Sequence, residues 1–329
     1  VGVDLSLYTK DSEDLIIDLD LDNSTGYSSS TVNSASINNK GVEAILNVIP
    51  VQSRDFTWDV TASFSLLRSE VISIADGIDQ IYVGGYVGRG NIAIPGLPYG
   101  ILEGEVIRRD YGSLDGTDHT QVHWDDRTNY TPIVNANGGY QFLGYGVIGN
   151  PQPDFVYGVT NTLSYKWATL RVQFDSQVGG DVFSTTNSTL LGRGILQETD
   201  FDRFVPVVTN GLSADGTPNT TQTTANAHYW PNTGVFYDEN SIYDASVMRL
   251  REVSLSFVAP KSFLNGTPFG NASLTLSAQN IWHYAWNTPS GTNFDPEVIS
   301  YGAGSNARGF DEMTGPTAKK YGATLSLTF

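Results

Sequence analysis

The C-terminal residues alternate strictly between apolar and small polar side chains. In the stretch 321–329 (YGATLSLTF), apolar side chains occupy the odd positions and polar ones or glycine the even positions. Because successive side chains of a β-strand point to opposite faces, this pattern predicts a strand with one apolar and one polar face. A strand between lipid and a polar lumen requires that division, so the pattern is typical of a transmembrane barrel.

Similar alternation along the chain gives about eight predicted strands. They lie near residues 1–10, 40–52, 54–69, 155–166, 168–181, 244–258, 270–282 and 319–329. Within the sixth strand, Met248 and Leu250 are out of phase with Val253, which predicts a β-bulge. The aromatic residues on apolar phases or near strand ends are predicted to form an interfacial girdle: Trp58, Tyr157, Tyr165, Trp167, Tyr321 and Phe329.

The connections between these strands are alternately long and short. Short ones surround 52–53, 166–167 and 265–266, and long ones cover roughly 11–39, 70–154, 182–243 and 283–318. Outer-membrane barrels have short periplasmic turns and long outer loops, so this parity places the C-terminal end on the periplasmic side. A strand-like segment near 97–109 would have to add strands in pairs to keep the parity.

Charged residues inside the strands indicate which face meets water. A charge is costly on the lipid face of a barrel and tolerated on a wet lumen face. The alternation puts the strand charges on the polar phase. The residues predicted to line the lumen are Glu43, Asp59, Arg171 and Asp175.

Composition excludes several classes of protein. The net charge is −17, with 18 basic against 35 acidic residues, so nucleic acid is not an expected partner, because phosphate binding requires a basic face. Cysteine is absent, which excludes disulfides and cysteine metal sites. No apolar stretch is long enough for a transmembrane helix, and no nucleophile, Walker or Rossmann motif is present, so we expect no enzyme.

Several short motifs occur in a specific order and resemble the SusC/RagA family of TonB-dependent outer-membrane transporters. They are the segments 39–43 (NKGVE), 149–155 (GNPQPDF) with 157–158 (YG), 174–175 (FD) with 179–183 (GGDVF), 249–255 (RLREVSL) with 260–261 (PK), and 280–282 (NIW) with 295–297 (DPE). The acidic segment that the family usually carries before the GNP motif is replaced by 135–139 (NANGG), which puts a metal site there in doubt.

The resemblance implies an all-β fold, a transmembrane antiparallel barrel of about 22 strands with an N-terminal plug. Residues 1–329 open in mid-strand without a signal peptide, so they are expected to be the C-terminal part of that barrel, with the plug outside this chain. The resemblance further implies TonB-dependent import of an oligosaccharide or oligopeptide across a Gram-negative outer membrane. The implied partners are a SusD-like surface lipoprotein, TonB acting through the plug, and membrane lipids with lipopolysaccharide.

Aromatic residues in the predicted outer loops are candidate ligand contacts. Aromatic rings beside amides and carboxylates can stack on sugar rings or hold a peptide. The candidates are Trp124, Tyr130, Tyr140, Tyr229, Trp230, Tyr284 and Trp286. Packing within the loops and contact with a capping lipoprotein are the alternative roles.

Acidic loop residues raise the question of a metal ion. Asp18, Asp20 and Asp22 resemble the start of an EF-hand loop, but Asn23 and Ser29 stand where that loop has glycine and glutamate. A solvated extension of the strand is therefore the preferred interpretation. A second acidic cluster comprises Asp115, Asp118, Asp125 and Asp126, and His119 lies four residues before His123. We expect no cofactor or metal, with calcium binding at the acidic loops as the alternative.

Three other interpretations fit parts of the pattern. One is a complete, self-closed barrel of about eight strands with a structural or adhesive role. Another is a SusC-like barrel that forms part of a surface machine for secretion or adhesion. A soluble carbohydrate-binding β-sandwich is the third.

Overall fold

The structure is a computed structural model of the chain. It describes residues 1–329 apart from 21–23, 25, 28, 87, 111–123, 233–236, 289–291, 293, 298–299 and 301–305. The strands are, in chain order, β1 (Gly2–Asp20), β2 (Ser29–Gln52), β3 (Phe56–Ser73), β4 (Ile81–Tyr86), β5 (Arg89–Ala93), β6 (Ile101–Ile107), β7 (Arg109–Asp110), β8 (Thr131–Pro132), β9 (Phe142–Gly149), β10 (Phe155–Tyr165), β11 (Ala168–Val178), β12 (Asp181–Ser184), β13 (Val207–Val208), β14 (Gln222–Thr223), β15 (Ile242–Asp244), β16 (Val247–Val258), β17 (Asn271–Tyr284), β18 (Phe310–Asp311) and β19 (Lys320–Thr328).

Helices are short and lie in the connections. The α-helices are α1 (Thr185–Gly192), α2 (Ala225–Ala227) and α3 (Lys261–Leu264). Among the described residues, 3-10 helices span Trp124–Asn129, Gln197–Thr199 and Asp238–Ser241, and a π-helical turn spans His228–Asn232. In the part of the chain that the structure describes, none of the helices has the length and apolar character needed to cross a membrane.

The main sheet is an eight-stranded antiparallel meander in the order β1-β2-β3-β10-β11-β16-β17-β19. This confirms the eight predicted strands, because each of them coincides with a strand of the sheet. The turns at 53–55 and 166–167 are as tight as predicted, whereas 259–270 is longer and contains α3. The expected long loop at 11–39 is wrong in extent, since β1 and β2 continue as paired strands to residues 20 and 29.

The two faces of the main sheet differ in chemistry from β3 to β19. One cross-strand row runs Leu163, Leu170, Leu255, Leu276, Ala323, and the neighbouring row on the other face runs Asp59, Thr162, Arg171, Ser254, Ser277, Gly322. At about 3.4 Å per residue and a tilt of about 40°, the length of β10 matches an apolar band of about 25 Å. Register shifts after Gln173 and after Leu250 show the predicted bulge in β16.

A smaller four-stranded sheet, β4-β5-β6-β9, packs against the polar side of the main sheet. Val71 lies on the same face of β3 as Asp59, and with Ala35 it packs against Ile81 and Ala93 of the smaller sheet. The strand-like character expected near 97–109 is confirmed by β6, which belongs to this second sheet. The polar side is therefore the interior side, and the apolar face is the one left for lipid.

The main sheet is open. In the ladders that the structure describes, the edge strand β1 pairs with β2 and the edge strand β19 pairs with β17. The two edge strands, β1 and β19, do not pair with each other. A self-closed barrel of eight strands would require a β1–β19 ladder. That alternative is wrong for the described residues, and the sheet has the form of a segment of a wider barrel wall.

Candidate functional site

The polar face of the main sheet carries all four residues predicted to line the lumen. Glu43 lies opposite Ser65, and Asp175 lies opposite Gly158, which in turn lies opposite Ser63. Since Ser63 and Ser65 alternate with the apolar residues of β3, these side chains share one face with Asp59 and Arg171. That this face lines a water-filled passage stays a prediction.

An ionic network ties the segment after β17 to this polar face. Arg251 hydrogen-bonds both carboxylate oxygens of Asp175 at 2.7 Å and both oxygens of Glu297, at 2.7 and 3.0 Å. Arg249 pairs with Asp295, and its Nε lies 3.3 Å from Glu297. The RLR and DPE motifs are therefore bonded to each other, which their separation in sequence did not indicate.

Asp295 is held as a carboxylate by this network. Burial alone would raise its pKa, but hydrogen bonds from Arg249 and Thr317 and the charge of Arg249 lower the pKa of Asp295 well below its usual range. The Arg249 and Asp295 side chains are 3% and 0% exposed, so the pair is almost wholly removed from water. Such a pair fixes the position of the DPE segment on the interior side of the sheet.

The GNP and GGD motifs also meet. The Asp181 carboxylate accepts a hydrogen bond from the backbone N–H of Asn150 at 2.7 Å, and the Asp181 N–H donates to the Asn150 carbonyl, also at 2.7 Å. Gly180 adopts φ +84 and lies against the Pro151 carbonyl, where a side chain would be strained. These motifs join the start of β10 to the end of β11.

Two of the predicted ligand-contact residues, Tyr140 and Tyr229, line one cavity. Its volume is about 440 Å³. Its other lining residues come from the connection between β11 and β16: Leu191, Leu196, Glu198, Val208, Asn210, His228, Asn240 and Tyr243. We call this cavity the tyrosine cleft. It brings three tyrosines, one carboxylate and two amides together, which is the chemistry of a site for a polar oligomer.

The electrostatics of the tyrosine cleft are set by burial. Burial lowers the pKa of His228, whose Nδ1 lies 3.1 Å from Thr209 Oγ1, so its imidazole is neutral at pH 7. Burial raises the pKa of Tyr243 to about 12, and burial followed by the Glu198 charge raises the pKa of Tyr229. The tyrosines therefore keep their protons and can donate hydrogen bonds to a ligand.

The other predicted contacts do not line the tyrosine cleft. Trp124 packs on the buried cluster of Ile92, Ile101 and Val147, which is a structural role. Trp230 is covered by the Arg193 guanidinium, 4.7 Å from the ring centroid.

Tyr130, Trp286 and Tyr284 lie outside the tyrosine cleft as well. Tyr130 is half-buried after the 3-10 helix Trp124–Asn129, and Trp286 lies in the turn after β17. Tyr284 is 57% exposed on the apolar face and stacks on Trp282 at 6.4 Å. Its position on the apolar face suits the lipid boundary.

Sequence reasoning missed much of the tyrosine cleft. His228 lies in the predicted loop 182–243 without a motif around it, and Tyr243 directly precedes a predicted strand. Glu198 and Asn240 had no distinguishing pattern around them. Only the fold, which brings residue 140 beside residue 229, shows that these side chains share a cavity.

The metal question concerns residues of which the structure describes only a part. Among the described residues, no group of three or more His, Asp or Glu side chains is placed to hold a metal ion. Several of the candidate metal-binding residues lie outside the described residues: Asp22, Asp115, Asp118, His119 and His123.

Comparison with known proteins connects this geometry to a family. No family model matches the chain. The chain is 26% identical to TonB-dependent receptor P3 of Formosa agariphila, over 98% of this chain and 32% of that protein. TonB-dependent receptor P26 of the same organism is also 26% identical, over 100% of this chain and 33% of the relative. The match to TonB-dependent receptor SusC of Bacteroides thetaiotaomicron is 22% identical and covers 76% of this chain and 23% of SusC.

The fold is shared with solved transporters. The structure of the RagAB peptide importer in the "closed-closed" state matches 99% of this chain and 33% of that chain, with a TM-score of 0.66 and 18% identity. The "open-open" state gives a TM-score of 0.63. The chain spans about a third of the length of the curated relatives that it matches over its whole extent. In sequence the chain is similar to TonB-dependent receptors, SusC among them, and in fold it is similar to the RagAB importer.

Proposed function

We propose that this chain forms part of the barrel of a transporter that imports an oligosaccharide or an oligopeptide across the outer membrane, driven by TonB. The observation that carries the proposal is the two-sided main sheet, whose apolar face suits lipid and whose polar face carries an ion-paired interior segment. The similarity to TonB-dependent receptors over nearly the whole chain supports it.

The open edges of β1 and β19 fit a wall segment of a wide barrel. A barrel of about 22 strands has a lumen too wide for side chains to fill, so a plug would be needed to close it. TonB would act on that plug. A SusD-like surface lipoprotein would close over the outer loops, as the likeness to SusC and to RagAB suggests.

The tyrosine cleft is the proposed ligand-contact surface of this chain. Tyr140 and Tyr229 would supply aromatic faces, and Asn210 and Asn240 would supply amides that bond either sugar hydroxyls or peptide groups. This chemistry serves both ligand classes. A depletion assay with both ligand classes distinguishes oligosaccharide from oligopeptide import.

A depletion assay tests the proposal. Cells with and without the protein are given a defined mixture of oligopeptides and oligosaccharides, and the medium is followed by mass spectrometry. We expect one ligand class to disappear only when the protein is present, and a protonophore to stop the uptake. Equal depletion in both strains, or uptake that the protonophore leaves unchanged, contradicts the proposal.

A matched pair of variants locates the contact. Tyr229→Ala removes a ring from the tyrosine cleft, and Tyr284→Ala removes one from the apolar face. We expect roughly tenfold weaker uptake at limiting ligand for Tyr229→Ala, because the loss of one aromatic contact is of that size. Tyr284→Ala is expected to retain uptake, and equal effects of both would remove the cleft from the proposal.

A further inference from the structure

The turn between β16 and β17 shapes a groove on the apolar face of the main sheet. Its floor is a cross-strand row of Phe257, Leu274 and Leu325. One wall is Trp167, whose ring centroid lies 5.7 Å from that of Phe257, and the other is Phe263 of α3. The groove has a volume of about 270 Å³.

The chemistry of this groove is nearly free of polar groups. Every lining residue except Ser273 has an apolar or aromatic side chain. The side chains are nevertheless open to the outside, with Phe263 76% and Leu325 65% exposed. Apolar surface left in water is unfavourable, so an apolar occupant is needed to cover it.

The position of the groove identifies that occupant. It continues the apolar face at the end of the sheet where the turns are short, close to the aromatic pair Phe269 and Phe329, whose ring centroids lie 5.2 Å apart. Aromatic residues concentrate where the hydrocarbon of a membrane meets the headgroups. Exposed Lys261 directly follows the groove residue Pro260 in the chain, where its amine can reach a phosphate. Lys166, the neighbour of Trp167, is held differently, since its amine lies 4.0 Å from the Asp55 carboxylate and 5.3 Å from the Tyr165 ring centroid.

We propose that this groove, which we call the lipid groove, binds one phospholipid of the periplasmic leaflet. An acyl chain lies along Phe257, Leu274 and Leu325 between Trp167 and Phe263, and the phosphate lies near Lys261. This explains why the turn at 259–270 is longer than the other turns at this end of the sheet, since its short helix α3 supplies Phe263 as the second wall of the groove. The proposal depends on the transmembrane fold and not on the identity of the imported ligand.

Native mass spectrometry of the protein tests this proposal. The protein is reconstituted in nanodiscs of palmitoyl-oleoyl phosphatidylethanolamine and phosphatidylglycerol, then released into detergent, and the retained phospholipids are counted. Phe263→Ala removes a wall, and Ala272→Phe fills the space. We expect one retained phospholipid in the unsubstituted protein and roughly tenfold weaker retention in both variants. Phe263→Ala removes the apolar surface of one ring from contact with the lipid, and the ring added by Ala272→Phe occupies a similar part of the acyl-chain space.

Tyr284→Ala is the control, since it removes an exposed aromatic from the same face at the other end of the sheet. It is expected to retain phospholipid as the unsubstituted protein does. No retained lipid in the unsubstituted protein overturns the proposal, and so does equal loss in all three variants, which would indicate general lipid contact. β-sheet circular dichroism in detergent serves as the check that each variant is folded, and a failure of retention leaves the import proposal untouched.

Discussion

Arg249 and Asp295 form an ion pair whose two side chains are almost wholly buried. We expect Arg249→Ala to lower the free energy of unfolding by about 3–5 kcal/mol, because it leaves a buried carboxylate without its cation. Replacing both partners, with Arg249→Met and Asp295→Leu, should cost much less. The measurement is heat-induced loss of β-sheet circular dichroism in detergent, and equal costs for the single and double variants would contradict this account.

The same carboxylate predicts how stability depends on pH. Because the pKa of Asp295 is lower in the folded protein than its usual value, the charged form stabilises the fold. That contribution is complete above the usual pKa and is lost as the pH falls from about 5 toward the folded pKa.

Acid titration of the thermal midpoint checks this dependence. We expect the midpoint to fall with pH below about 5, and Asp295→Asn to reduce that slope. The exposed carboxylate of Asp76 offers a control, since Asp76→Asn should leave the slope unchanged. A slope that Asp295→Asn does not alter would mean that other carboxylates govern the acid transition.

At the scale of elements, the contact between the GNP and GGD motifs depends on a glycine. A Cβ at position 149 would lie 2.8 Å from the Asp181 Oδ2 atom and 2.9 Å from its Cβ atom. Gly149→Ala would therefore displace Asp181 and break its hydrogen bond to the Asn150 N–H. We expect a loss of about 1–3 kcal/mol in the free energy of unfolding.

Gly144 provides the matched control on the same strand, β9. A Cβ there would meet no atom within 4 Å, so Gly144→Ala tests the effect of adding a methyl group without a clash. Thermal unfolding of the two variants gives the comparison. If Gly144→Ala costs as much as Gly149→Ala, then the packing of Asp181 is not the cause.

The strands of the main sheet could be predicted because each lies between two different solvents. Lipid and water impose opposite side chains at every second position, so even a single strand such as β19 carries a clear pattern. The smaller sheet has no such constraint. Its strands pack on one another and on protein neighbours, as Ile92 and Ile101 do, and their apolar runs do not differ from those of any buried segment.

At the scale of the whole molecule, the two faces of the main sheet could be predicted from the sequence, whereas the residues that meet in a cavity or an ion pair could not. Glu43, Asp59, Arg171 and Asp175 could be assigned to one face because alternation is a local property. The tyrosine cleft joins Tyr140 to Tyr229 across several elements, and the Arg249–Asp295 pair joins β16 to a loop. Contacts between distant segments leave no local periodicity, so the composition of these sites could not be deduced from the sequence.

The orientation of the barrel follows from loop length and can be measured directly. The 329 residues contain no cysteine, so a single introduced cysteine reports its own side of the membrane. Asp215 lies in an exposed turn of the long connection between β11 and β16, and Asn265 lies in the turn after α3. Long connections face outward and short turns face the periplasm.

We expect a membrane-impermeant maleimide to label Asp215→Cys in intact cells and to label Asn265→Cys only after the outer membrane is permeabilised. The unsubstituted protein gives the background, and labelling in detergent shows that both thiols react when they are accessible. Labelling of Asn265→Cys but not Asp215→Cys in intact cells would reverse the orientation. The lipid groove would then lie at the outer leaflet, and the tyrosine cleft would face the periplasm, where it could not receive a ligand from outside.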